Sequence, residues 1–253
     1  MNIDLQDLAR LAEKAARLGG EEILKIYESG DFSIEAKADN SPLTLADRAA
    51  HNAIVSVLND SGLPVLSEEG RSIPYLERKD WEYFWIIDPL DGTKEFIKRN
   101  GEFTVNIALI HRNRPILGIV YPPVLDQIYT AISGHGATLD GAPIKSSGKK
   151  LNETCLKAVA SRSHMSPETE AFLADLVDPE IVSKGSSLKL LMVASGEADV
   201  YPRFGPTMEW DTAAAQIVVE EAGGQVLLTD QSGPIEYNKE DLLNPYFLVL
   251  AHK

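Results

Sequence analysis

Cysteine occurs once, at position 155, in a chain of 253 residues. A single thiol forms neither an internal disulfide nor a zinc cluster. Histidine is sparse too: the five, at 51, 111, 135, 164 and 252, show no metal-ligand spacing. Any metal must therefore rely on oxygen ligands, which favours magnesium, calcium or manganese over zinc. No apolar run approaches the roughly 18 residues a membrane-spanning helix needs. The N-terminal MNIDLQDLAR is mixed and acidic, unlike a secretory signal. The chain is read as cytoplasmic, with no transmembrane segment and peripheral association at the inner membrane left open. Basic residues are outnumbered, 24 Lys and Arg against 38 Asp and Glu, for a formal net charge of −14. No basic block is large enough to make polymeric nucleic acid a partner. Repeats, low-complexity segments, a Gly-x-x-x-x-Gly-Lys-Ser/Thr phosphate loop and a Gly-x-Ser-x-Gly elbow are all missing, which removes support for solenoids, P-loop nucleotide hydrolysis and serine hydrolases.

What remains is an ordinary globular composition, long enough for one large or two small domains. Leu5, Leu8, Leu11, Ala12, Ala15 and Leu18 recur at helical spacing on to Ile23 and Ile26, predicting an amphipathic helix loosened at Gly19–Gly20. FSIEAK (32–37) reads as extended. Thr44 with Asp47 three residues on forms a capping-box pattern opening a second helix. Strands are expected at 63–66 and 81–87, the second stopping at Asp88-Pro89, followed by an antiparallel meander over 103–132 and a hairpin at Asp140-Gly141. From about residue 150 short strands alternate with helices. The expectation is an α+β half over 1–148, carrying most of the candidate metal ligands, and an α/β half over 149–253.

The segment Asp88-Pro89-Leu90-Asp91-Gly92-Thr93 carries the most chemistry. Pro89 forces Asp88 into an extended conformation, and Gly92 permits a tight turn. Two carboxylates three apart on such a turn converge on one point, where they repel unless a hard cation sits between them. The Leu90 carbonyl can complete the oxygen shell, and the amides of Gly92 and Thr93 at a helix start suit a phosphate. Glu68-Glu69 ends the preceding strand candidate; if the strands are neighbours, a third carboxylate joins the site. Taken singly, Asp211 and Asp47 read as helix-capping acids and Glu68 as a solvated loop acid.

Spacing excludes two phosphatase designs. Six residues separate Cys155 from Arg162, one too many for a cysteine phosphatase loop, and the apolar surroundings make Cys155 an expected core residue. Asp88 and Asp91 are three apart, whereas an aspartyl-phosphate mechanism of the haloacid dehalogenase type places its acids two apart. Metal-activated water remains.

The blocks SEEG (67–70), DPLDGTKEF (88–96) and WDTAAA (210–215) together resemble the motifs of the lithium-sensitive, magnesium-dependent inositol monophosphatase superfamily. KADNSPLTLAD (37–47), SRSH (161–164), GSSLK (185–189), YPRFGPT (201–207) and LLNPYF (242–247) extend the likeness over nearly the whole chain, towards members acting on nucleoside bisphosphates. The resemblance implies an α/β, layered αβαβα sugar-phosphatase fold and hydrolysis of adenosine 3′,5′-bisphosphate to AMP and phosphate. It implies Glu68, Asp88, the Leu90 carbonyl, Asp91 and Asp211 as ligands of two Mg²⁺ ions, with a third, weaker ion near Asp47 and Glu68. Asp47, Glu68 and Thr93 would handle the attacking water. Substrate would meet Glu68, Leu90, Asp91, Gly92, Thr93 and Asp211, and in the second half Ser161, His164, Gly185 and Lys189. Two of these keep plainer readings: Lys189 as a solvated helix lysine, His164 as a helix-start residue. An inositol phosphate or sugar bisphosphate is the alternative substrate, and a non-catalytic nucleotide or metal sensor the remote alternative. The partner expected is a small nucleotide, the assembly a monomer or homodimer. Glu209, beside Trp210-Asp211, has no expected role.

Overall fold

The computed structural model describes residues 4–30, 35–36, 42–160 and 165–253. The first helix, α1 (Leu5–Ser29), starts where the Asp4 carboxylate accepts the N–H groups of Gln6 and Asp7 and ends at Gly30 in the left-handed conformation. It is continuous through Gly19–Gly20. Those glycines do not loosen it; they let neighbours approach. A Cβ on Gly19 would stand 2.7 Å from Ile54 of α2 (Leu45–Leu58), and one on Gly20 2.4 Å from the Tyr121 ring. The Thr44–Asp47 capping box forms as predicted, with Asp47 accepting both the N–H and the hydroxyl of Thr44. Of the FSIEAK stretch, only Glu35–Ala36 is described; this strand, β1, pairs with β2 (Pro42–Leu43).

Seven strands follow in one sheet, in chain order: β3 (Val65–Ser67), β4 (Tyr83–Asp91), β5 (Thr104–His111), β6 (Arg114–Tyr121), β7 (Tyr129–Ile132), β8 (Gly136–Leu139) and β9 (Ala142–Pro143). All neighbours are antiparallel except β3 and β4, whose parallel pairing is made by a crossover through α3 (Tyr75–Arg78). β4 does not stop at Asp88-Pro89 as expected. Asp88 pairs with Asn106 and Asp91 with Thr104, so the extra residue on the β4 side forms a bulge at the proline. A short helix, α4 (Thr93–Ile97), leaves its end.

The second sheet has the order β11-β10-β12-β14-β13, from β10 (Lys157–Val159), β11 (Glu180–Val182), β12 (Val200–Arg203), β13 (Gln225–Leu228) and β14 (Phe247–Leu250). α5 (Pro167–Ala174), α6 (Leu188–Ala194) and α7 (Glu209–Glu221) alternate with these strands. Three apolar clusters define the layers. α1 and α2 pack on one face of the seven-stranded sheet around Trp85, Ile87 and Ile107. α6 and α7 fill the space between its other face and the second sheet, where Phe84, Ile86, Val218 and Phe247 share one core. α5 covers the outer face of the second sheet through Leu173. The result is the αβαβα layering. Cys155 is not in a core: it is exposed, in a positive-φ position before β10.

Candidate active site

Parallel pairing of β3 and β4 places their C-terminal ends side by side; the Glu68 N–H donates to the Ile87 carbonyl at 3.2 Å, setting Glu68 next to Asp88. Asp88 is 2% exposed and accepts the Leu90 N–H at 3.0 Å, a local turn over Pro89. The third carboxylate arrives from the other half of the chain. Asp211 is not the N-cap of α7; it lies in its first turn, reaching back to accept the Met208 N–H at 2.8 Å. Ligand oxygens of Glu68, Asp88 and Asp211 all lie within 4.8 Å of one another.

Asp91 stands beside this group. One of its oxygens accepts the Ser187 N–H at 2.6 Å and the Asn106 amide at 3.4 Å. Ser187, Asn106 and Thr104 continue as a buried chain: Thr104 meets the Ser186 and Ser187 hydroxyls at 2.7 Å, and Ser187 donates to Asn106 at 2.9 Å. The GSSLK segment is thereby tied to the acidic turn. Gly92, at φ +96°, allows that turn, and a Cβ there would meet Glu102 O and Ser186 at 3.2 Å. Thr93 donates to Asp47 at 3.3 Å and lies 3.4 Å from the Leu90 carbonyl.

Electrostatics test whether these residues fit a cation. Burial, then the charges of Glu68, Asp91 and Asp211, pushes Asp88 well above the carboxylate range. Burial and Asp91 lift Asp211 to about 8 against the opposing Met208 N–H, with Glu68 adding to the rise. Carboxylates that hold one another protonated form a poor structural cluster and a good all-oxygen cage for a hard cation.

Asp91 and Asp211 line a cavity of about 730 Å³ together with Lys189, Arg203 and Tyr201. Lys189 is half-buried, its ammonium 5.9 Å from the Tyr201 ring centre; burial lowers its pKa and the Asp91 charge works against that. It is therefore not a freely solvated helix lysine. Gly185 lines the same cavity, its N–H donating to Glu102 at 2.9 Å. Ser161 and His164 lie outside the described residues. Sequence does not single out Arg203; its Nε is buried without a hydrogen-bond partner among the described residues, while another guanidinium nitrogen donates to the Pro206 carbonyl. An arginine ending an apolar strand, in an acidic chain, was the available signal. Asn106, Thr104 and Ser187 carried none, since their role depends on cross-chain contact.

A fold and site of this kind define a class: the chain matches the inositol monophosphatase family over residues 4–252 and belongs to it. More particularly, it is 45% identical over 240 residues to the 3′(2′),5′-bisphosphate nucleotidase CysQ of Escherichia coli (strain K12), covering 92% of this chain and 96% of that one. The CysQ of Salmonella typhimurium is 44% identical over 243 residues, covering 94% and 97%. The crystal structure of CysQ from Bacteroides thetaiotaomicron superposes with a TM-score of 0.87 at 48% identity, covering all of both chains. The suhB protein of Bartonella henselae superposes at 0.80 with 25% identity, over 98% and 94%. No helix among the described residues is long and apolar enough to cross a membrane.

Proposed function

We propose that the chain is a magnesium-dependent 3′(2′),5′-bisphosphate nucleotidase that hydrolyses adenosine 3′,5′-bisphosphate to AMP and phosphate. The observation that carries this reading is one cavity lined by groups of both signs: Asp91 and Asp211, the latter clustered with Glu68 and Asp88, and Lys189 and Arg203. A substrate with two phosphates matches both. The names of the curated relatives support the same activity.

Glu68, Asp88, the Leu90 carbonyl, Asp91 and Asp211 would hold two Mg²⁺ ions, with a third, weaker ion near Asp47 and Glu68. Bound there, the ions would lower the pKa of a water and neutralise charge on the transferred phosphate and leaving oxygen. The chain's own groups do the rest. Thr93, hydrogen-bonded to Asp47, takes a proton from the attacking water as its own passes to the Asp47 carboxylate, and Glu68 shares that water. The Gly92 and Thr93 amides would cradle the scissile phosphate. Lys189 and Arg203 pair with the second phosphate, while Gly185 keeps the wall free of side chain; a Cβ there would stand 2.7 Å from Glu95. Ser161 and His164 complete the nucleotide contacts in this reading. We also read the division at 148/149 as separating two subdomains. In support, the chain leaves the first sheet at Pro143 and enters the second at Lys157.

The test is phosphate release at saturating Mg²⁺ from adenosine 3′,5′-bisphosphate, inositol 1-phosphate and fructose 1,6-bisphosphate. Strong preference for the nucleotide is expected. Preference for either other substrate moves the chain to a sister activity on the same metal cluster. No release with Mg²⁺ bound favours a sensor.

A further inference from the structure

Glu209 is 0% exposed and stands two residues before Asp211 in the first turn of α7, without belonging to the acidic cluster. Its carboxylate accepts the Asn238 N–H at 2.7 Å, the Lys239 N–H at 3.0 Å and the Lys239 ammonium at 2.6 Å. Asn238 sits at φ +64°, turning the backbone so that two successive N–H groups converge on one carboxylate. The segment so captured, residues 236–244, is fastened at both ends. Buried Arg78 holds it through the Asn238 side chain at 2.8 Å and the Glu240 carbonyl at 3.0 Å. Further along, the Glu209 N–H donates to the Leu242 carbonyl, and the Asn244 amide donates to the Met208 carbonyl at 2.8 Å and to Thr212 at 3.0 Å. Met208 is the residue whose N–H fixes one oxygen of Asp211. The segment is a strap around the start of α7, and Glu209 is the residue that locks it.

We infer that Glu209, with Lys239, is a positioning residue that sets the cation affinity of the acidic cluster by fixing the orientation of Asp211. The inference rests on the reading of Asp211 as a metal ligand. With one Asp211 oxygen held by Met208, the direction of the other follows from where Met208 stands. A strap released from Glu209 lets the first turn of α7 shift, and ligand misplacement of about an ångström is costly. Buried partners behind a metal ligand typically matter about 10–100-fold in affinity.

The test is Mn²⁺ binding, read as loss of the free-ion paramagnetic resonance signal, on the full-length chain with Glu209→Gln, Lys239→Met and Asp199→Asn. Asp199 is a buried carboxylate bonded to Ser147 and Lys149, away from the cluster; its variant controls for simple loss of stability. The expected result is at least a roughly tenfold loss of Mn²⁺ affinity in Glu209→Gln and a smaller loss in Lys239→Met, with Asp199→Asn unchanged though lower in Tm. Unchanged affinity in Lys239→Met and in any folded Glu209→Gln overturns the inference, as does an equal loss in Asp199→Asn. Mn²⁺ binding involves no nucleotide, so failure of the proposed substrate leaves this result readable.

Discussion

Asp88 and Asp211 are buried against other carboxylates, which favour their protonated forms wherever no cation intervenes. In the metal-free protein, the folded state holds a proton on Asp211 up to about pH 8, whereas the unfolded chain has lost it by roughly pH 4. Metal-free stability therefore falls as pH rises across that window. A bound cation must displace that proton, so its affinity rises with pH. Adding Mg²⁺ should raise Tm, and by more at pH 8.5 than at pH 6, in thermal scans with and without chelator. A gain that shrinks with rising pH would contradict the assignment. Asp91→Asn and Asp211→Asn should each lower kcat/KM on the order of 10³-fold with fold retained by circular dichroism. Thr93→Ala should act on kcat, roughly 10²-fold or more, and leave KM close to wild type, because its hydroxyl bonds Asp47 rather than the remote phosphate. These effects are readable as a kcat–KM split in steady-state kinetics.

At the scale of elements, the active site depends on how closely α7 approaches the first sheet. A Cβ on Gly118 of β6 would stand 2.4 Å from the Ala214 carbonyl and from Ile217. No rotamer relieves a clash with backbone, so Gly118→Ala should cost about 1–3 kcal/mol in urea unfolding and displace Asp211 along with α7. β12 is held at its start by Asp199. Burial opposes ionisation of this carboxyl, but hydrogen bonds from Ser147, the Lys157 N–H and Lys149 outweigh it and keep its pKa below the ordinary value. Its contribution is present above the unfolded pKa near 4 and is lost as pH falls through the lower folded value. Asp199→Asn should be less stable by about 1.5–3 kcal/mol at pH 7, and the difference from wild type should shrink in acid. A gap that persists unchanged at pH 2 would show that the charge is not what stabilises.

For the whole molecule, α7 belongs by sequence to the second half but packs against both sheets, and one apolar core runs from Leu66 and Phe84 to Val226 and Phe247. Unfolding should therefore be one cooperative transition, with equal calorimetric and van't Hoff enthalpies. Two resolved transitions would mean that the halves are stable apart. The acidic surface of net charge −14 does not exclude an anionic ligand, because Lys189 and Arg203 place positive charge within the cavity itself.

Much of this was written in local signals. The capping box at Thr44–Asp47, the glycine turn after Asp91, the meander and the α/β alternation follow from dihedral preference and periodicity, which act within a few residues. The acidic blocks identified the chemistry by residue type. What sequence could not place was any side chain whose meaning is contact across the chain. Gly19 and Gly20 looked like helix weakeners and are packing sites; Cys155 looked like core and is exposed. Ser187 reaches Asp91 across 96 positions, Lys239 reaches Glu209 across 30, and Arg203 gains its role only where the second sheet faces the first. Which residues could bind a hard cation, and which elements would carry them, is legible in the chain order, because those properties are local. That Glu68, Asp88 and Asp211 meet, and which buried groups hold them there, follows from the folded layers, because convergence depends on packing between distant segments.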